Sequence, residues 1–196
     1  MNTAYAKPDT LLGTALAPLD RTRSVSLVFA FSLLMALSAQ VAIPVGPVPI
    51  TGQTFVVLLT GALLGSRLGA AAMIVYLAEG AFGLPFFSQG RAGFAHLLGP
   101  TGGYLFAFPA AAFITGAFAE HGWDKRFHTA AAAMAIGSVL IMLSGWAWFS
   151  LITNTSPLVA FQTTVLPFIP GDIIKILLAA AALPLGWKFV HSPNEK

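Results

Sequence analysis

No cysteine occurs in the 196 residues, which excludes disulfides and thiolate chemistry and says little about compartment. Charge is almost as scarce. Only 9% of the residues are charged, where soluble domains carry about 25%. So few charges cannot cover a water-facing globule. With 57% hydrophobic residues and a mean hydropathy of +0.81, the chain reads as an integral membrane protein with almost no soluble part. HExxH and GxSxG are both missing, and with them two common hydrolase constellations. GPTGG at 99–103 lacks the Lys-Ser/Thr that completes a phosphate-binding loop, so the chain has no evident means of hydrolysing ATP. No basic stripe is interleaved with aromatics, and nucleic-acid binding is set aside. The excess of ten Lys/Arg over seven Asp/Glu reads instead as membrane orientation. No enzyme activity, metal site or cofactor is expected.

What is present is a series of apolar runs. VSLVFAFSLLMALSAQVAI (25–43) is the first, stopped by Pro44. A signal peptide is its rival, because ALSAQ offers small residues for cleavage. The long region before the run and the five apolar stretches after it argue against that. Those stretches cover about 53–65, 68–83, 103–119, 128–152 and, after Pro170-Gly171, 172–190. The one at 53–65 is short for a full crossing, which takes roughly 20 residues. Segments 84–102, 153–171 and the shorter 44–52 read as non-helical and fall on one side if the spans alternate.

Charge orients the series. With the N-terminus inside, the inner segments hold Lys7, Arg21, Arg23, Arg67, Lys125, Arg126, Lys188 and Lys196, and the outer side holds Arg91 and Lys175. The expected architecture is an all-α integral membrane protein, a bundle of six transmembrane helices with long outer loops. Residues 1–24 form a cytoplasmic segment, 25–190 the membrane domain and 191–196 a cytoplasmic tail.

The outer exceptions invite a functional reading. In PFIPGDIIK (167–175), Asp172 is placed as an N-cap of the last helix, accepting from its free N–H groups. Lys175 opposes the helix dipole and shares a face with Asp172. A cation near membrane depth is a functional hypothesis by default, with snorkelling or a simple ion pair as the alternative. Arg91 lies in FFSQGRAGFAHLLGPTGGY (86–104), a glycine-rich segment. Such backbone is tolerated at membrane depth only under protein cover or along a cavity. A guanidinium there suits a carboxylate, with a lipid-phosphate contact as the alternative. Thr51 and Gln53 in VPITGQT (48–54), with Gln89 and Tyr104, add polar handles, and a buried amide suits a urea or amide ligand. His96 reads as a structural histidine, and Trp146 and Trp148 as an aromatic belt.

Two small-residue patterns are candidates for helix docking. Ser32, Ala36 and Ala39 fall on one face of the first span, and Gly61 and Gly65 form a GxxxG. Each pattern serves either packing inside the bundle or approach of a partner helix.

VPITGQT, GALLGSRLGA, GLPFF with GRAG, LLGPTGGY and PFIPGDIIK occur in that order. Together they resemble the BioY family, the biotin-specific S components of energy-coupling factor transporters, over about residues 25–190. The resemblance implies the S-component fold and a multi-pass protein of the bacterial inner membrane that binds biotin from outside. It implies a transmembrane coupling protein and two cytoplasmic ATPase subunits as partners, beside membrane lipid. It implies that Asp172 and Lys175 bind substrate, that Gln89 and Arg91 lie in a substrate-covering loop, and that the Ser32 and Ala36 face docks the coupling protein. Here Ser stands where the family's first alanine is usual. A solitary biotin transporter, an S component for another small vitamin, and homo-oligomers stay open.

Overall fold

The computed structural model describes residues 10–191. Lys7, Lys196 and most of the expected tail therefore lie outside the described residues.

The described residues are mostly helical. After a short α1 (Leu11–Ala15) come α2 (Arg21–Gln40), α3 (Gln53–Leu64) and α4 (Ser66–Ala81). Then follow α5 (Phe94–Leu97), α6 (Gly102–Glu120), α7 (Phe127–Thr153), α8 (Pro157–Thr164) and α9 (Ile169–His191). Two strands of two residues, β1 (Ala42–Ile43) and β2 (Ile50–Thr51), pair antiparallel. Among the described residues, four helical stretches are long and apolar enough to cross a membrane: 21–40, 102–120, 127–153 and 157–190. α3 has 12 residues, roughly 18 Å at 1.5 Å per residue, well short of a hydrocarbon core.

The exterior is apolar. Val25, Phe29, Leu33 and Leu37 run down the exposed side of α2, and Val139, Leu143, Ile173 and Leu177 are exposed on α7 and α9. That is a lipid-facing surface, since water would penalise it.

Glycines set the helix spacing. A Cβ at Gly61 would fall on the backbone of Ala112, one at Gly116 on the backbone at Gly65 and Ser66, and one at Gly69 on Gly61 itself. Backbones of α3, α4 and α6 therefore touch directly along one seam. The GxxxG is thus internal packing. Gly65, at φ +87°, makes the one-residue turn between α3 and α4.

Ser32, Ala36 and Ala39 are also internal: at 0%, 6% and 0% exposure they are buried, and α2 lies against α4 and α3. This corrects their assignment as a partner-docking face. Small side chains let a neighbouring helix approach from within as well as from without.

The outer segments are more ordered than expected. Segment 153–171 contains α8, capped by the Ser156 hydroxyl on the Val159 N–H at 3.4 Å and opened by Pro157. Segment 84–102 holds α5 and a tight turn at 88–90. Trp146 donates to the Pro157 carbonyl at 2.9 Å and Trp148 to the Gly99 carbonyl at 2.9 Å, so both pin these segments to α7.

The opposite end collects Arg21, Arg23, Arg67, Lys125, Arg126 and Lys188. Glu120 accepts from the Ser66 N–H and hydroxyl there, both at 2.9 Å, joining α6 to the start of α4. Asp124, 2% exposed, accepts from the Trp187 indole at 2.6 Å, and Lys125 lies 4.5 Å over the Trp187 ring.

Burial pushes the Asp124 carboxyl up to about 6 from 3.8, opposed by the Trp187 bond, its own backbone N–H and Lys125. A folded-state pKa above the unfolded one means the folded protein holds the proton more tightly. Stability then falls as pH rises between about 4 and 6, by about 2–3 kcal/mol. Asp124→Asn keeps an oxygen for Trp187 and cannot ionise. Thermal unfolding in detergent at pH 5 and pH 7.5 is expected to show a drop in Tm for the wild type and a smaller one for the variant. An equal drop in both would place the pH dependence elsewhere.

Candidate functional site

At the cation-poor end, α3, α6, α7 and α9 enclose a cleft of about 560 Å³, open solvent included. Its lining is mainly apolar: Val48, Leu105, Phe108, Ile141, Met142 and Phe168. The polar groups converge from α3, α6, α9 and β2 and from segment 84–102, which adds Ser88, His96 and Thr101. Gln53 and Thr54 open α3, Asp172 and Lys175 lie on α9, Tyr104 on α6, and Thr51 on β2. An apolar cleft of this size with a few placed polar groups is the usual form of a small-molecule site.

Lys175 is the centre of the polar cluster. Its ammonium donates to the Thr51 carbonyl at 2.8 Å and to the Thr54 hydroxyl at 2.9 Å, and pairs with Asp172 Oδ1 at 3.6 Å. Two hydrogen bonds and one ion pair thus hold the ammonium inside an apolar bundle.

Asp172 is not the N-cap. α9 already begins at Ile169 and runs through Pro170 and Gly171. Proline in a first turn leaves only N–H groups that would be free anyway, so Pro-Gly does not delay the helix. The Asp172 carboxylate, 5% exposed, is committed to side chains: it accepts from Ser138 on α7 and from Thr54 at 3.3 Å. The acid thus ties α9 to α7 and α3.

Gln53 is 4% exposed and held at both ends of its amide. Nε2 donates to the Tyr76 hydroxyl at 2.7 Å, and Oε1 accepts from the Thr51 hydroxyl at 3.1 Å. Tyr104 stacks on Phe168 at 6.0 Å between centroids and donates to the Thr164 carbonyl at 2.5 Å, closing the α8 side.

Gln89 and Arg91 are not brought into the cleft. Both are exposed, and Gln89 has a left-handed backbone at φ +62°. The Phe87 N–H donates to the Arg91 carbonyl at 2.9 Å and the Arg91 N–H to Ser88 at 3.4 Å, which turns both side chains outward on the rim. The same segment sends Ser88 and His96 to the lining instead. His96 stacks on Phe87 at 5.1 Å and its Nε2 meets the Thr101 hydroxyl at 3.3 Å. Burial, and then the charge of Arg91, hold its pKa below the ordinary value, so the imidazole is neutral at pH 7.

Three residues of the cluster, Thr54, Ser138 and Tyr76, escaped sequence reasoning. Thr54 was within the quoted VPITGQT and needed only the helix register to place it beside Lys175. Thr51 was in the same motif, but it acts on Lys175 through its backbone carbonyl, which no side-chain pattern reveals. Ser138 is a lone hydroxyl in an apolar run, and Tyr76 a lone phenol on α4, neither with a local signal.

The profile of the BioY family matches residues 8–192. The chain belongs to the BioY family. A probable biotin transporter BioY of Pyrococcus horikoshii is 41% identical over 160 residues, covering 81% of this chain and 93% of that protein. The biotin transporter BioY of Rhodobacter capsulatus is 38% identical over 170 residues, covering 80% and 88%. Among solved structures, the S-component for biotin from an ECF-type ABC transporter superposes with a TM-score of 0.75 at 27% identity. It covers 86% of this chain and 92% of that one. The helical architecture of this BioY family member is thus that of an S component. The PGDIIK motif that marked the resemblance supplies the acid and base of the cleft.

Proposed function

We propose that the protein is the biotin-binding membrane subunit of an uptake system and not an enzyme. One observation carries this reading: an apolar cleft of ligand size ends in a Lys175–Asp172 pair and a fixed Gln53 amide. Biotin needs those groups in kind, an anion partner, a donor and acceptor for its urea, and apolar walls for the rest. The names of the relatives point the same way.

In this reading the apolar stretches form six spans with both termini in the cytoplasm. Cations gather at the end opposite the cleft, and the positive-inside rule then turns the cleft outward, away from the cytoplasm of a bacterial cell. Gln53, Tyr104, Asp172 and Lys175 bind the ligand directly. Gln89 and Arg91 act at the rim, where the guanidinium meets a carboxylate that projects from the cleft. Transport is energised by a coupling protein and two ATPase subunits. Because Ser32, Ala36 and Ala39 are buried, the coupling protein docks on a surface other than theirs. Uptake into vesicles with and without the ATPase partners separates this from solitary transport.

Titration calorimetry on the detergent-solubilised protein tests the core of the proposal. Biotin is expected to bind saturably, desthiobiotin more weakly and thiamine not at all. A folded protein that takes up no biotin would sink the reading.

A further inference from the structure

We propose that Tyr76 is a positioning residue: it fixes the Gln53 amide in one of its two flip states and so makes the cleft selective for a ring urea. The inference rests on the biotin-binding reading of the cleft.

Tyr76 lies on α4, is 0% exposed and does not line the cleft. Its single hydroxyl proton goes to the Phe86 carbonyl at 3.2 Å. The phenol oxygen is left as an acceptor only, and it takes the Gln53 Nε2–H at 2.7 Å. On the other side, the Thr51 hydroxyl accepts the backbone N–H of Gln53 at 3.3 Å and gives its proton to Gln53 Oε1 at 3.1 Å. The two hydroxyls read the same amide from opposite ends and agree.

Flipping the amide breaks this agreement. Oε1 would then face the Tyr76 oxygen, and Tyr76 could donate to it only by abandoning the Phe86 carbonyl. The Thr51 proton would face an NH₂ group and lose its acceptor. No water reaches Tyr76 to repair either loss, and buried polar groups without partners are costly.

The fixed amide keeps one N–H and one oxygen lone pair uncommitted. Gln53 lines the cleft, and its uncommitted Nε2–H is the donor a ligand carbonyl meets. Its complement is the carbonyl oxygen of a cyclic urea or lactam, and a flip would put Oε1 in its place. A ligand with a donor in place of that carbonyl oxygen meets donor against donor. Sites built on buried hydrogen bonds reject such analogues strongly.

The test compares biotin, 2-iminobiotin and biotin amide on wild type and Tyr76→Phe. 2-Iminobiotin replaces the urea oxygen by a nitrogen that donates; biotin amide alters only the distant carboxylate. In Tyr76→Phe the Gln53 amide is free to turn. The preference for biotin over 2-iminobiotin is expected to fall about tenfold or more, while the preference for biotin over its amide stays unchanged. Thr51→Val loosens the amide from the other side, leaves the carbonyl that binds Lys175, and is expected to give the same signature. It decides the matter if Tyr76→Phe does not fold. Unchanged iminobiotin selectivity, or equal weakening of all three ligands, would overturn the positioning role. Absence of biotin binding by the folded wild type would overturn the underlying function first, and that outcome is seen before any variant is compared.

Discussion

Lys175→Met is expected to weaken biotin binding about thirtyfold to several thousandfold, the usual result of truncating one partner of a buried charge pair, about 2–5 kcal/mol. Its ammonium holds Thr51, Thr54 and Asp172 at once. Without it the Asp172 carboxylate keeps two hydroxyl donors and loses its cation. Breaking a buried pair costs about 3–5 kcal/mol of stability. That is an upper figure here, because the Lys175 side chain is still 20% exposed. The double variant Asp172→Asn/Lys175→Met removes both charges and should recover most of that stability without recovering binding. Thermal unfolding and biotin titration on the two singles and the double separate the effects. If Lys175→Met binds biotin within about tenfold of wild type, the lysine is a structural tie and not a ligand group.

The second large effect is mechanical. Gly61→Val places side-chain atoms where α3 meets the Ala112 backbone, within 3.0 Å of its carbonyl carbon and Cα for the Cβ alone. Backbone cannot rotate aside as a side chain can. The expected loss is at least about 3 kcal/mol, the upper end of overpacking costs, and a corresponding loss of folded protein in detergent. Gly171→Ala is the internal comparison. A Cβ there meets nothing within 4 Å, and the residue lies in the first turn of α9. It should be neutral or more stable by about 0.5–1 kcal/mol. Equal stability for Gly61→Val and wild type, by size-exclusion profile and Tm, would show that the seam can open.

The large helices were legible because their apolar runs are long and end at glycine, proline or charge. α3 was expected over 53–65 and spans Gln53–Leu64; α7 was expected over 128–152 and spans Phe127–Thr153. α8 was missed because eight residues beside two prolines carry too little periodicity to distinguish a short helix from a loop. The small-residue face of α2 was seen, but its direction was not. Ser, Ala and Gly permit close approach without saying which helix approaches. The partners of Asp172 depend on register between distant segments: Thr54 and Ser138 are 118 and 34 residues away. Gln89 and Arg91 show the reverse failure. Their segment does reach the cleft, but a turn at 87–91 decides which of its side chains enter, and that turn depends on two left-handed residues, Gln89 and Gly90.

α9 is fastened unevenly. Near its inner end Trp187 is bonded to Asp124, and Leu11 of α1 fills the space a side chain at Gly186 would take. Its outer half has empty space on both flanks. One is the cleft, and the other is an apolar groove between α7 and α9 lined by Val139, Leu143, Ile169 and Ile173. Asp172 and Met142 border both spaces. On the far side of the bundle, α3, α4 and α6 touch backbone to backbone. α9 is therefore packed and bonded at its inner end, while its outer half, between a cleft and a groove, carries the polar ties of Lys175 and Asp172 beside its packing on α7. A ligand that competes for those ties therefore acts on the less closely fastened half of α9.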